Sequence, residues 1–270
     1  MVATVDQVQT SFRSSAFSHS LGSLIAYGKV LYVDGNHTSA SNSNLGTQPD
    51  KPLSTLDGAV GKCTANANYI ILVAPNHSES LTAADGVDID VAGITVIGIG
   101  NGTNKPRFDY TGASGEFVIG ADNVTIENLN FHANVTTVVK AIDIESNVDY
   151  ATIRKCTFTV ESAGTDEFNN AIILAGGNVG TLIEDNYFDQ GIGAAVRGIY
   201  LDADTANTII RRNTIIGDFS SSNIGGDTTL STDIIIDDNL LINGEAGDIG
   251  TVACITLLTG THGVISRNRL

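Results

Sequence analysis

The hexapeptide "IEDNYF", residues 183–188, decides the fold, because it recurs with small variations through the second half of the chain. Every copy has isoleucine first and a large apolar residue sixth, and successive copies begin 27, 30, 27, 26 and 29 residues apart. A period of this length indicates a repeat architecture in which each repeat is one supersecondary unit. The other copies are "IENLNF" 126–131, "IRKCTF" 153–158, "IRRNTI" 210–215, "IDDNLL" 236–241 and "ISRNRL" 265–270.

A second apolar segment accompanies the hexapeptide at a constant offset. "AIDI" 141–144, "AIIL" 171–174 and "GIYL" 198–201 each end nine residues before the isoleucine of the next copy. A repeat therefore holds two or three short strands, which is too little for a βαβ unit and lacks helical periodicity. A β-propeller blade would need four strands and roughly 40 residues. The pattern predicts an all-β, single-stranded parallel β-helix of about 28 residues per coil, with coils stacked about 4.8 Å apart.

The fourth position of the hexapeptide predicts an internal amide ladder. It holds leucine and cysteine in the first two copies and asparagine in the last four. Asparagines stacked coil on coil hydrogen-bond amide to amide, as in other cross-β stacks. The predicted ladder is Asn186, Asn213, Asn239 and Asn268.

The second and third positions alternate in charge from coil to coil. Opposite charges on neighbouring strands attract, whereas a slip of one coil would place like charges together. The adjacent pair Asp237–Asp238 is therefore predicted to partner Arg211–Arg212 rather than to form a catalytic dyad. The second-position column is Glu127, Arg154, Glu184, Arg211, Asp237 and Ser266, and the third-position column is Asn128, Lys155, Asp185, Arg212, Asp238 and Arg267.

The first quarter of the chain predicts a cap on the β-helix. Residues 53–65 indicate a short amphipathic helix, with Ser54 as N-cap and Asp57 three residues later in the manner of a capping box. Such a helix would cover the open edge of the first coil. Residues 1–28 fit neither pattern and are interpreted as an arm or linker before a β-helix domain at 29–270. The apolar face of the helix is Leu56, Ala59, Val60 and Cys63.

Composition narrows the possible partners. The net charge of −16 argues against nucleic acid and anionic membrane as partners, and no apolar run approaches a membrane span. The N-terminus lacks the basic start and apolar run of a signal peptide. We expect no metal and no cofactor, because neither cysteines nor histidines show ligand spacing, and surface turns are the predicted place of the histidines. These residues are Cys63, Cys156, Cys254, His19, His37, His77, His132 and His262.

Three segments carry a resemblance to a known family. "LYVDGNHTSASNSNLGTQPDKPLSTLDGAV" 31–60, followed by "IILVAPNHSESL" 70–81, resembles the first coils of right-handed β-helix proteins of the pectate-lyase-like superfamily. The coils "VTIENLNF" and "GTLIEDNYF" are similar to that superfamily's repeats. The resemblance covers roughly residues 30–270 and implies a right-handed solenoid. The run at 73–108 is most similar to β-helix proteins encoded among bacteriophage structural genes, and this implies a homotrimer.

Function divides between two classes that share this fold. The resemblance, the acidic composition and the missing catalytic set favour a non-enzymatic virion protein, a capsid decoration or fibre/tail-type component made in the bacterial cytoplasm and bound to other virion proteins. The alternative is a polysaccharide lyase or glycoside hydrolase, such as a depolymerising tailspike domain. Its candidate catalytic carboxylates are Asp143, Asp202 and Asp204.

Two further expectations concern association. Ile173 and Tyr200 are expected to face outward on adjacent coils, either as a self-association strip or beneath a loop such as 161–169. The last hexapeptide ends at Leu270, which leaves the final coil half finished. Either the chain is cut there or another subunit covers that end.

Overall fold

The protein is described by a computed structural model that covers residues 29–84, 86–193, 195–226, 229–244 and 252–270. The predicted arm at 1–28 lies outside these described residues. Within them, no helix is long and apolar enough to cross a membrane. The described chain is a parallel β-helix of three sheets, as the repeat predicted.

The first sheet is built from the start of each hexapeptide. Its strands are parallel. From the pairing of Ile70 with Thr95 onward, register partners lie 25 to 30 residues apart in the sequence. In the order of the sheet, the strands are β1 (Lys29–Val33), β2 (Tyr69–Val73), β5 (Thr95–Gly98), β8 (Thr125–Glu127), β11 (Thr152–Arg154), β15 (Leu182–Glu184), β19 (Ile209–Arg211), β22 (Ile234–Asp237) and β25 (Gly263–Ser266).

From Asn130 onward, each strand of the second sheet follows the fourth position of a hexapeptide. Only two residues separate it from the preceding first-sheet strand, so both strands come from a single hexapeptide. The strands of the second sheet are β3 (Ser78–Leu81), β6 (Arg107–Tyr110), β9 (Asn130–Ala133), β12 (Thr157–Val160), β16 (Tyr187–Asp189), β20 (Thr214–Gly217) and β23 (Leu240–Asn243).

The third sheet contains the second apolar segment of each repeat and returns the chain to the next coil. A two-stranded ladder of β14 (Asn178–Val179) and β18 (Thr205–Ala206) lies between the third and first sheets. The strands of the third sheet are β4 (Val87–Ile89), β7 (Phe117–Ile119), β10 (Val138–Ile144), β13 (Phe168–Leu174), β17 (Arg197–Leu201), β21 (Ser222–Gly226) and β24 (Ile255–Leu257).

The sixth hexapeptide residue forms the centre of the core. The rings of Phe131, Phe158 and Phe188 stack along the axis, with centroids 5.1 and 4.4 Å apart and planes within 16° of parallel. Phe108 extends the stack by one coil at 6.0 Å. All four side chains are fully buried, so one continuous aromatic column joins four coils.

The N-terminal cap is shorter than predicted. Helix α1 spans Leu56–Val60 rather than 53–65, and its N-cap is Thr55, whose Oγ1 accepts from Gly58 N at 3.0 Å. The prediction of Ser54 as N-cap is wrong by one residue. The predicted apolar face is buried at Leu56, Ala59 and Val60, and α1 contacts β1, β2 and β4. The helix therefore covers the first coil.

A buried histidine ties this cap to the second coil. His77 Nδ1 accepts from Gly35 N at 2.9 Å, so its Nε2 carries the proton and donates to Glu79 Oε2 at 3.1 Å. The same carboxylate oxygen accepts from Leu56 N, at the start of α1, at 3.0 Å. The loop after β1, the helix and β3 are thus held by one polar chain.

Candidate functional site

The predicted asparagine residues stack at the corner between the first and second sheets. Asn213 Nδ2 donates to Ile183 O at 3.0 Å and to Asn239 Oδ1 at 3.1 Å. Asn213 Oδ1 in turn accepts from both N and Nδ2 of Asn186 at 3.0 Å. Asn239 makes the equivalent contacts with Asn268. Asn186, Asn213 and Asn239 therefore each bond to the backbone of the preceding coil and to the asparagine of the next one.

The third hexapeptide position has a backbone role that the charge pattern did not predict. In six consecutive coils this residue is left-handed, with φ between 51° and 61°. The left-handed residue ends the first-sheet strand and turns the side chain of the following residue toward the interior. Asparagine and aspartate adopt this conformation readily, whereas each lysine or arginine pays about 1 kcal/mol. These residues are Asn128, Lys155, Asp185, Arg212, Asp238 and Arg267.

The charge columns form ion pairs around acids that are nearly buried. Glu127 is 3% exposed. Its Oε2 accepts from Arg154 Nε at 2.9 Å, and its Oε1 accepts from Lys155 Nζ at 2.8 Å. Both cations come from the following coil. One carboxylate of low exposure is therefore matched by two charges that remain partly in solvent.

The same arrangement recurs two coils later. Glu184 Oε2 accepts from Arg211 Nε at 2.9 Å and from Arg212 Nη2 at 2.6 Å. Arg212 Nε also donates to Asp185 Oδ1 at 2.8 Å. The adjacent arginines are thus bound to the acids of the preceding coil, and this pairing leaves neither of them as an open anion site.

The acid pair Asp237–Asp238 has a different partner from the one predicted. Arg211 lies in register with Asp237, but within the described ranges no ion pair joins them. Both aspartates pair with Arg267 of the next coil, with Asp238 Oδ1 at 2.9 Å from its Nε. The cations of these columns extend toward the preceding coil, so each acid forms its ion pairs with cations of the following coil only. The prediction of Arg211–Arg212 as the partners of this pair is wrong.

Arg211→Glu is expected to lower the free energy of unfolding by about 1–2 kcal/mol, a range set by the partial exposure of the arginine. The new carboxylate would stand in register between Glu184 and Asp237, so three acids would stack on neighbouring strands. Urea unfolding at low and high salt measures the change, which should shrink as salt screens the charges.

Arg211→Gln is the matched control, because it removes the ion pair without adding a charge. We expect it to lose less than Arg211→Glu and to show little salt dependence. Equal losses in the two variants would contradict the charge-column assignment.

Asp185 is expected to make stability fall in acid. The hydrogen bond from Arg212 lowers the pKa of Asp185, and the charges of Arg212, Lys155 and Arg211 add to it against the opposing effect of burial. A carboxyl group with a lowered folded pKa stabilises the protein above its unfolded value, and this contribution is lost as pH falls through the folded value. Asp185→Asn should flatten this acid limb in urea midpoints measured across the acidic range. An unchanged slope would exclude the contribution.

The outer face of the third sheet holds the residues predicted for function. Asp143, Ile173 and Tyr200 lie in register on β10, β13 and β17 and are half-buried. Each of these strands places two consecutive residues in the core before its outward residue, as at Ala141–Ile142. The outward residues of each strand are therefore three positions apart, so Lys140 lies beside Asp143. Self-association through Ile173 and Tyr200 stays a prediction.

Lys140 and Asp143 form a closed ion pair. Lys140 Nζ lies 2.5 Å from Asp143 Oδ2 and 3.4 Å from Glu116 Oε1. Burial acts to lower the pKa of Lys140, but the hydrogen bonds and charges of Asp143 and Glu116 outweigh it and raise the pKa. The amine is therefore held as a cation at neutral pH, which suits a charge partner and not a general base.

Beside this pair, the next coils carry a group of buried polar atoms. The Arg197 guanidinium carbon lies 4.1 Å from the centroid of the Tyr200 ring. Asn170 Oδ1 and Ser222 Oγ, which flank Arg197 in register, are buried and have no hydrogen-bond partner among the described residues. A Cβ at Gly225 would lie 2.6 Å from both Ser222 Oγ and Arg197 Nε, so this position has room for glycine only.

The remaining predicted carboxylates lie on a different coil from Asp143. Asp202 follows β17, two coils from β10, so the backbones of Asp143 and Asp202 are about 10 Å apart along the axis. Asp204 lies beyond Asp202 in the turn, where its carbonyl accepts from Gly177 N at 2.7 Å. The structure thus brings together Lys140 with Asp143, but not the three predicted acids.

Metal ligation and thiol nucleophilicity depend on where the ligand side chains lie and on the pKa of each thiol. No three His, Cys, Asp or Glu side chains there are placed to hold a metal ion. Burial raises the pKa of Cys63 to about 12 and that of Cys156 to about 11. Both thiols are therefore protonated at neutral pH and are poor nucleophiles.

Sequence reasoning missed a polar cluster on the outer face of the second sheet. His132 is 6% exposed, with Nδ1 2.9 Å from Thr159 Oγ1 and Nε2 3.0 Å from Glu161 Oε2. Asp109 lies beside it in register. The prediction of surface turns is wrong for His132 and for the buried His77. The residue after the hexapeptide is polar in the first three copies (His132, Thr159 and Asp189), and this pattern could have indicated the cluster.

Comparisons with known proteins give a distant likeness. No family model matches the sequence, and a search of curated proteins finds no match. Among solved structures, the chain is similar to a rhamnogalacturonan lyase, with 11% sequence identity and a TM-score of 0.37 over 89% of this chain and 87% of that one. A likeness at this level carries nothing about activity or substrate.

Proposed function

We propose that the chain is a non-enzymatic structural protein of a bacteriophage virion, a β-helix rod that serves as a capsid decoration or a fibre/tail-type component. The observation that carries the proposal is the use of polar side chains for contacts between coils. Glu127, Glu184 and Asp237 all hold cations of the next coil, and the amides of Asn186 and Asn213 donate to the asparagine of the next coil at the corner. Groups bound in this way add stiffness and register, not chemistry.

The ion pair of Lys140 and Asp143 on the third sheet supports the same proposal, because it does not provide a base for proton transfer. A lyase needs a base that loses its proton near neutral pH. Lys140 is held as a cation between Asp143 and Glu116, and Asp202 lies about 10 Å away along the axis. The face therefore favours binding or packing over proton transfer.

Assembly and location belong to the proposal as well. The resemblance of residues 73–108 to phage-encoded β-helix proteins supports a homotrimer bound to capsid or tail proteins. Residues 1–28 would be the docking element. The net charge of −16 suits a surface that stays soluble at high local concentration.

Mass spectrometry of purified phage particles from the strain that carries the gene tests the proposal. We expect the chain at a copy number fixed relative to the capsid protein, with a non-structural phage protein absent from the same particles. Deletion of residues 1–28 should abolish incorporation. Recovery of the chain from the soluble lysate alone would overturn the virion role.

A polysaccharide-cleaving role is the second candidate, and the buried polar atoms of the third sheet favour it. Asn170 Oδ1 and Ser222 Oγ are buried without partners beside Tyr200, a combination that suits a hydroxyl-rich ligand. Release of reducing or unsaturated sugar ends from host capsule, abolished by Asp202→Ala or Asp143→Ala, would establish it. Without release from capsule or pectic polymers, the rod remains the better proposal.

A further inference from the structure

A cavity of about 550 Å³ opens at the N-terminal edge of the first sheet, away from the charge columns and the third sheet. Strand β1 contributes Val30 and Tyr32 to its wall, Tyr69 comes from β2, and Leu45 comes from the loop after β1. The volume lies within the range of small-molecule sites, and most of the lining area is apolar.

The charged residues of this cavity are both lysines. Lys29 and Lys62 line it, and among the described residues no carboxylate lies within ion-pairing distance of either. The Lys29 ammonium lies 5.0 Å from the centroid of the Tyr69 ring. Both cations belong to a chain that carries 30 acids and only 14 bases. The cavity is thus a positive site on an acidic protein.

The other lining residues fit an apolar body. Leu45 is 78% exposed at the rim, and an exposed leucine beside a cavity gains from being covered. Burial raises the pKa of Tyr32, so its hydroxyl stays neutral and does not repel an anion. Tyr69 adds a half-buried ring at the base of the lysine. The lining therefore combines an apolar surface with a cationic side.

We propose that this cavity binds an anionic amphiphile, with a carboxylate, phosphate or sulfonate group between Lys29 and Lys62 and an apolar or aromatic body against Leu45 and Tyr69. Charge complementarity selects the head group, and the apolar lining holds the body. The site does not depend on the proposed virion role, because it shares no residue with the surfaces that carry that proposal.

The binding test uses 8-anilinonaphthalene-1-sulfonate on the full chain, with decanoate, decyl phosphate and decyltrimethylammonium as competitors. We expect one saturable site, displaced by both anionic decyl compounds and not by the cationic one. Decanoate against decyl phosphate separates the two head groups. Displacement by all three at the same concentration would show that charge is not recognised, and this result would overturn the proposal.

Variants locate the site. Lys62→Glu should weaken binding of the sulfonate probe about tenfold or more, because a charge-assisted contact is lost and repulsion is added. Lys51→Glu is the matched control, since Lys51 is exposed and lies outside the cavity lining. Equal losses in both would reduce the effect to overall charge and overturn the site.

Methyl-labelled NMR keeps the proposal testable even if Lys62→Glu fails to fold. Decanoate should shift the methyl signals of Val30, Leu31 and Leu45 in the unsubstituted chain and leave those of Ile209 and Ile215 in place. Shifts elsewhere, with these three unmoved, would place binding outside the cavity.

Discussion

Asn213→Leu is expected to lower the free energy of unfolding by about 3–5 kcal/mol, because one substitution leaves several buried polar groups without partners. Asn213 Oδ1 accepts from N and Nδ2 of Asn186, and its own Nδ2 donates to Ile183 O and Asn239 Oδ1. Asn213 is 1% exposed, so water does not replace these contacts. Urea or guanidinium unfolding, followed by far-UV circular dichroism, measures the loss.

The end of the ladder provides the matched control. Asn268 accepts from Asn239 and donates to Ile236 O, but it is only partly buried, so water reaches the freed groups. Asn268→Leu should therefore lose less than half as much as Asn213→Leu. Similar losses at both positions would show that the asparagines act through local turn geometry and not through a buried ladder.

Phe158→Ala is expected to cost about 3–5 kcal/mol, the range for removing a buried aromatic side chain. Phe158 stacks between Phe131 at 5.1 Å and Phe188 at 4.4 Å and is fully buried. A cavity there separates the coils on either side, so unfolding should also become less cooperative, as in other repeat proteins. Chemical unfolding monitored at two wavelengths measures both effects.

Tyr187→Ala tests whether the aromatic effect is specific to the core. Tyr187 precedes Phe188 on β16 but faces outward and is 40% exposed. We expect a loss below about 1 kcal/mol. A loss as large as that of Phe158→Ala would mean that the outer face of the second sheet contributes to stability as strongly as the core does.

The repeat carried most of the fold prediction, for a physical reason. A coil buries its apolar residues only against its neighbours, so Ile153, Ile183 and Ile210 must recur in register. The ladder at Asn186 and Asn213 was predictable for the same reason, since a stacked position needs a side chain that donates and accepts. The helix at Leu56–Val60 was predicted too long because its local pattern continues after the chain has turned away.

The features that could not be predicted from the sequence depend on backbone conformation and on the direction in which each side chain extends. Alternating charges predicted that Arg211 and Asp237 meet, but the cations extend toward the preceding coil and Asp237 contacts Arg267. A charge pattern could not predict the left-handed backbone of Arg212, because arginine does not favour that conformation. The contact of His132 with Glu161 joins two coils through an exposed loop position that the hexapeptide alignment did not include.

The amide ladder also gives the rod a direction. Every link runs the same way, with the amide nitrogen of Asn186 donating to Asn213, that of Asn213 to Asn239, and that of Asn239 to Asn268. The side-chain dipoles therefore add in series along the axis, as peptide dipoles do in a helix, and each polarises the next. The two ends of the column are electrostatically unlike. Although its coils are nearly identical, the solenoid therefore has a polar axis, with different hydrogen-bonding groups at its two ends.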